Sequence, residues 1–163
     1  MALFLSTYVN KVDKKGRVSV PAPFRTSLGH VTGGGPVELI VFRSLQANAL
    51  DACSIDFLEQ LSLALDNPDM PEDLRDTIET TVFGGSVRLQ IDPEGRIIIP
   101  EPYLEFAGIG ESISFVGRRK TFQLWDPAAF AAHEAQSRDV ARANNISLST
   151  VLARTSALAR GAS

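Results

Sequence analysis

The chain has 163 residues, of which 44% are hydrophobic and 21% charged, with a formal net charge of −3. This is an ordinary soluble globular composition with enough apolar residues for a real core. No run of about 18 apolar residues occurs, which excludes a membrane-spanning helix, and the lone Cys53 excludes an intrachain disulfide.

The opening Met-Ala-Leu-Phe-Leu-Ser-Thr has no basic segment and no long apolar run, so no secretory signal is expected. Residues 3–12 are mixed and β-prone and predict a strand. Asp13-Lys14-Lys15-Gly16 predicts a turn: Asp bonds the backbone just beyond it, and Gly accepts positive φ. Val18 and Val20 continue a strand that Pro21 ends. Residues 22–28 predict a short helix with Gly29 as its cap. Gly33-Gly34-Gly35-Pro36 reads as a loop, 37–43 as a strong strand, and 46–50 as its pairing partner.

Asp51 or Ser54 then starts a helix through residue 65, with Phe57, Leu58, Leu61 and Leu65 on one face. Asn67-Pro68 breaks it. A second helix is expected from about 71 to 82, closed by Gly84-Gly85. Residues 86–91 predict a strand, 92–95 a turn, and 96–99 an apolar strand expected to be more buried than 17–20. A short helix follows over 101–107, capped by Gly108. Residues 113–116 and 121–125 predict a hairpin around the basic turn Gly117-Arg118-Arg119-Lys120. Asp126-Pro127 starts a helix to about 143. Asn144-Asn145 interrupts, and Ser147 or Ser149 starts a last helix toward 160.

One unit is written twice. Val12-Asp13-Lys14-Lys15-Gly16-Arg17 returns as Ile91-Asp92-Pro93-Glu94-Gly95-Arg96, and residues 12–29 align with 91–108. They share Asp, Gly, Arg, two Pro and the final Gly, six identities in eighteen where chance gives about one or two. Each copy precedes a hairpin and helices.

Charge is distributed unevenly. Lys11, Lys14, Lys15, Arg17 and Arg25 face only Asp13 within residues 1–30, while residues 50–80 carry nine acids and only Arg75. This is a basic tip on an acidic body, a pattern that speaks to partners. Lysines reach phosphates, and Arg makes bidentate contacts with guanine in the major groove. Arg17 is therefore the leading base or phosphate contact, Lys11, Lys14 and Lys15 are phosphate contacts, and Asp13 orients Arg17 or caps the turn. Arg25 is a weaker candidate. The plain alternative is a solvated hairpin tip with an internal Asp–Arg pair. Asp92 and Arg96 read as structural or as a secondary contact, because Pro93-Glu94 makes a poor phosphate ligand. Arg118-Arg119-Lys120 reads as a solvated tip, or as a contact for acidic residues 66–79 of a neighbour.

No metal, cofactor or small-molecule substrate is expected: His30 and His133 are far apart, and Gly33-Gly34-Gly35 is not followed by Gly-Lys-Ser/Thr. Cys53 beside a helix start lacks a placed base, so no catalytic constellation and no enzyme is expected. Leu158 and its neighbours at helical spacing read as core or interface.

The two Asp-x-x-Gly-Arg turns, Gly16-Arg17-Val18-Ser19-Val20-Pro21 with Phe24-Arg25, Phe4 near the start, and Phe122-Gln123-Leu124-Trp125-Asp126 resemble the MraZ family across most of residues 3–126. The resemblance implies a β-rich α+β fold. In it, tandem SpoVT-AbrB-type repeats pair like an AbrB-type swapped-hairpin dimer into one pseudo-two-fold β-barrel core with peripheral helices. The implied layout is repeat 1 over 7–53, facing DNA, a helical connector over 54–82, repeat 2 over 83–126, and a C-terminal helical region over 127–163. It also implies a ring-shaped homo-oligomer in the cytoplasm over the nucleoid. There it would bind direct repeats in double-stranded DNA upstream of the cell-division and cell-wall gene cluster, as a transcriptional regulator of repressor type. The alternative is an antitoxin-like interaction module whose acidic helices clamp a protein partner.

Overall fold

The computed structural model describes residues 2–29 and 37–161; His30 and the loop Gly33-Gly34-Gly35-Pro36 lie outside the described residues. Two compact units follow one another, Met1–Pro127 and Ala128–Ser163. The first holds β1 (Thr7–Lys11), β2 (Arg17–Ser19), α1 (Ala22–Leu28), β3 (Glu38–Arg43), β4 (Leu50–Cys53), α2 (Ile55–Leu65) and α3 (Glu72–Ile78). After a π-helical turn (Glu79–Phe83) come β5 (Val87–Gln90), β6 (Arg96–Ile98), α4 (Glu101–Ala107), β7 (Ser112–Arg118) and β8 (Thr121–Trp125). The chain is α+β and β-rich, as the family resemblance implies, but the described strands form an open six-stranded sheet and a separate ribbon and not the expected closed barrel.

Strand pairing exchanges partners between the repeats. The main sheet is antiparallel in the order β1-β7-β8-β4-β3-β5, and β2 pairs with β6 in a separate ribbon. The first strand of each repeat therefore lies on the hairpin of the other. The order reads the same from either end once the repeats are interchanged, so a pseudo-two-fold passes between β4 and β8 and between β2 and β6. β1 and β5 end the sheet, and the ribbon and short helices pack over its inner face. Val18, Val20, Ile97 and Ile99 from the ribbon, Phe24 from α1 and Ala107 from α4 join Leu39, Val41, Leu50, Phe115, Phe122 and Leu124 in one core. Phe24 is its aromatic hub, with ring centroids 4.9 Å from Phe122, 5.4 Å from Phe4 and 5.5 Å from Tyr8.

On the other face of β3 and β4, Ile40, Phe42 and Cys53 pack with Val82 under Phe57, Leu58 and Leu61 of α2. Alternation along the strand produces this division: Leu39 and Val41 point one way, Ile40 and Phe42 the other. The hairpin partner of β3 is Leu50–Cys53 and not 46–50, because Ser44 to Ala49 form the turn. There the Ser44 amide donates to the Ala49 carbonyl at 2.9 Å and the Ser44 hydroxyl accepts from the Gln46 amide. Asp51 is thus a strand residue, and Ser54 caps α2 by accepting from the Phe57 amide at 3.1 Å. The helix expected over 71–82 changes register after Ile78, where the Gly84 amide reaches the Glu79 carbonyl five residues back at 2.8 Å. The second copy is no more buried than the first. Val18 and Ile97 are equally enclosed, and Ile98 points outward at 59% exposure.

The second unit holds α5 (Pro127–Ala143) beyond its first residue and α6 (Leu148–Gly161). Asn145, at φ 50°, breaks between them, and the Ser147 hydroxyl caps α6 by accepting from the Thr150 amide. Leu148, Val151, Leu152 and Leu158 of α6 are exposed rather than core. Among the described residues no helix is long and apolar enough to cross a membrane.

Candidate nucleic-acid interface

The two Asp-x-x-Gly-Arg turns have one geometry. In the first, Asp13 Oδ1 accepts from the Lys15 and Arg17 amides, both at 2.9 Å, and Oδ2 accepts from Arg17 Nε at 2.6 Å. In the second, Asp92 accepts from the Glu94 and Arg96 amides at 2.9 Å and from Arg96 Nε at 3.1 Å. Gly16 and Gly95 stand at φ 81° and 83°, where a side chain is strained. A Cβ on Gly16 would lie 2.7 Å from the Ile99 carbonyl oxygen. The Gly16 carbonyl accepts from the Ile99 amide at 3.0 Å, and the Gly95 carbonyl from the Val20 amide at 2.9 Å. Each turn is thereby bonded to the other repeat. Asp, Gly and Arg recur because the turn needs all three. The two residues between Asp and Gly are free to differ.

The ribbon register brings the two motif arginines onto one surface. Arg17 stands opposite Ile98 and Ser19 opposite Arg96, while Val18 and Ile97 point into the core between them. Arg17 and Arg96 are therefore diagonal neighbours, roughly 7–8 Å apart at the backbone. Because the strands are antiparallel, the two turns stand at opposite ends of the ribbon. Lys11, Lys14 and Lys15 are exposed at the Arg17 end, and Asn10 ties β1 to β2 by donating to the Ser19 carbonyl at 2.7 Å.

The turns differ in what engages the outer end of each arginine. Arg96 NH2 lies 3.1 Å from the Glu94 carboxylate. The position equivalent to Glu94 is Lys15, which has no acceptor to offer. Arg17 is anchored through Nε to Asp13, and its side chain is 36% exposed.

Arg25 does not join this set. Its guanidinium covers Gly95 of the second turn, where a Cβ would collide with NH1. Its Nε is buried with no hydrogen-bond partner among the described residues, and it shares a hollow of about 420 Å³ with Thr26, Ile91 and Asp92. The matching hollow beside the first turn, about 250 Å³, sets Lys14 and Lys15 near Glu101, Leu104 and Glu105 of α4. The basic hairpin tip at Arg118-Arg119-Lys120 is exposed and pinned by Phe4, whose amide donates to the Arg119 carbonyl at 2.7 Å. Sequence reasoning missed Arg88 and Gln90 of β5. They line a groove of about 540 Å³ with Arg96 and Ile98, and their only sequence signal is outward alternation about Leu89. Cys53 is buried, and burial with the nearby Asp51 pushes its thiol up to about 12, so it stays protonated at neutral pH. Among the described residues no three His, Cys, Asp or Glu side chains group to hold a metal.

The Arg17 amide and then its guanidinium hold the Asp13 carboxyl below its ordinary 3.8, and the Arg96 amide does the same for Asp92. A carboxyl lowered in the folded state contributes stability above its unfolded pKa and loses it as pH falls through the folded value. Asp51, raised chiefly by burial, works in the opposite direction. The melting temperature will therefore drop below about pH 4, and Asp13→Asn with Asp92→Asn will flatten that drop. Calorimetric melts across the acid range test this; an equally steep drop in the double variant would assign the acid sensitivity to other carboxylates.

Residues 82–151 match the family model described as "MraZ protein, putative antitoxin-like". The chain is 43% identical over 146 residues, 90% of its length and 92% of the relative's, to the transcriptional regulator MraZ of Pelagibacter ubique. It is 38% identical over 148 residues to the transcriptional regulator MraZ of Rickettsia akari, covering 91% of this chain and 97% of that one.

Proposed function

This chain belongs to the MraZ family, and we propose that it is a transcriptional regulator that binds double-stranded DNA through its first Asp-x-x-Gly-Arg turn. The observation that carries the reading is the contrast between two turns of one geometry. The first presents Lys14, Lys15 and an Arg17 anchored, among the described residues, at Nε; the second presents Pro93, Glu94 and an Arg96 held at both ends. Arg17 is pre-oriented by Asp13 toward a base edge or phosphate, with Lys11, Lys14 and Lys15 on the backbone. A two-stranded ribbon fits the major groove.

Four cations on one tip give weak binding alone. A ring of identical subunits places such tips at regular intervals, and effective concentration multiplies their affinities. Head-to-tail contacts present every tip in the same orientation, which suits direct repeats. In this reading the protein acts over the nucleoid on its own upstream region, as a repressor of the cell-division and cell-wall genes beyond it.

Sequencing DNA retained by the purified protein will return short direct repeats at one spacing. Titration at graded salt will give a slope of log K against log salt of about −3 to −4 per engaged subunit, the value for four phosphate contacts. Retained DNA without a common repeat, or binding indifferent to salt, would overturn the reading and favour a protein partner.

A further inference from the structure

We propose that Glu94 closes a second, latent DNA contact, formed by Arg96 and Arg88 on the β5–β6 side of the ribbon and suited to the phosphate backbone of a duplex. The inference rests on the reading of the first turn as a DNA contact.

Three observations converge on it. Arg96 shares the outer face of the ribbon with Arg17, so a duplex engaging Arg17 passes close to Arg96. Beside Arg96, the groove of about 540 Å³ is open and edged by Arg88 and Gln90. Arg88 is 66% exposed, with a loose 3.4 Å contact to Glu38. Glu94 is itself 72% exposed, held in a turn whose backbone does not depend on its side chain, and its carboxylate occupies the Arg96 NH2 that would meet a phosphate.

One side chain decides the sign of charge here. Around the second turn Arg25, Arg88 and Arg96 are matched by Glu38, Asp92 and Glu94. Around the first, Lys11, Lys14, Lys15 and Arg17 meet Asp13, with Glu101 and Glu105 across the hollow. The geometry of a contact is present twice and its charge once. The carboxylate at 94 leaves each subunit with a single working tip.

The test is fluorescence anisotropy of a labelled duplex from the protein's own upstream region, titrated at graded salt. Glu94→Lys frees Arg96 and adds a cation, so affinity at low salt rises about tenfold and the salt slope steepens by roughly two. Glu94→Gln only frees Arg96 and steepens the slope by about one; it decides the matter if the lysine variant melts early. Arg88→Ala with Arg96→Ala in the Glu94→Gln background returns both readings to wild type, and in the Glu94→Lys background leaves at most the share of the added cation, about one in the slope. Glu59→Lys, exposed on α2, makes the same change of charge elsewhere and leaves both readings unchanged. An equal gain from Glu59→Lys, or a full gain in either Glu94 variant that survives loss of Arg88 and Arg96, overturns the proposal. If wild-type binding depends on Arg17 and Lys15 but neither Glu94 variant alters it, the latent contact alone is refuted. If wild type shows no such binding, the reading of the first turn falls first.

Discussion

Arg17→Ala combined with Lys15→Ala is expected to weaken DNA binding by at least about a hundredfold while leaving the fold intact. Each charge-assisted contact is worth about 1.5–3 kcal/mol, roughly ten- to a hundredfold in affinity. In a ring the loss recurs at every tip. The fold survives because Asp13 keeps its two backbone donors, Lys15 and Arg17 N–H, whatever their side chains. Arg17→Ala removes a partly exposed ion pair, which is worth little to stability. Arg96→Ala is the control: it deletes an arginine of the same geometry whose outer end is already occupied by Glu94, and binding stays near wild type. Anisotropy titrations beside thermal melts separate the outcomes. Unaltered binding by the double variant would remove the first turn from the interface.

Phe24→Ala is expected to cost about 3–5 kcal/mol, the range for truncating a buried aromatic. Phe24 is 1% exposed and meets four rings, Phe4, Tyr8, Phe115 and Phe122, which come from both repeats and from the N-terminal segment. A cavity at that point loosens the packing of α1, the ribbon and the sheet together. The melting temperature should fall by roughly 10–15 °C for a chain of this size. Phe24→Leu, which keeps much of the volume, should cost less than half as much. A drop of only a few degrees for the alanine variant would mean that the neighbouring rings collapse into the space.

Much of the local structure was legible because it is locally encoded. Asp-x-x-Gly-Arg specifies its own turn, Pro21 and Pro100 stop their strands, and α1 and α4 begin and end where Pro, Ala, Glu and Gly place them. The partner exchange was not legible from periodicity, because which hairpin a strand joins is decided by packing and not by its own residues; it was expected through the family resemblance alone. The same limit hid the fate of Arg25. It lies eight residues after Arg17 in the chain, yet α1 carries it to the second turn, over Gly95. Ile98 reads as core by type and is exposed by register, since Ile97 and Ile99 take the inward positions. Lys14 and Lys15 were visible as a difference between the copies. That Glu94 grips Arg96 is set by the curvature of the turn and not by residue type, since the contact runs between side chains two residues apart.

The exchange of strands between repeats has a consequence for how the molecule can be altered. In a symmetric pair of separate chains, every substitution is installed on both halves at once. Here residues 54–86 join the halves into a single polypeptide, so the two ends of the ribbon can be set independently. The shared framework, Asp, Gly and Arg with the ladder between them, recurs because each turn is bonded to the other repeat. The residues facing outward are under no such obligation. On the proposed reading one half can specialise in holding and the other in touching, and the side chains at 15 and 94 are where the two halves part.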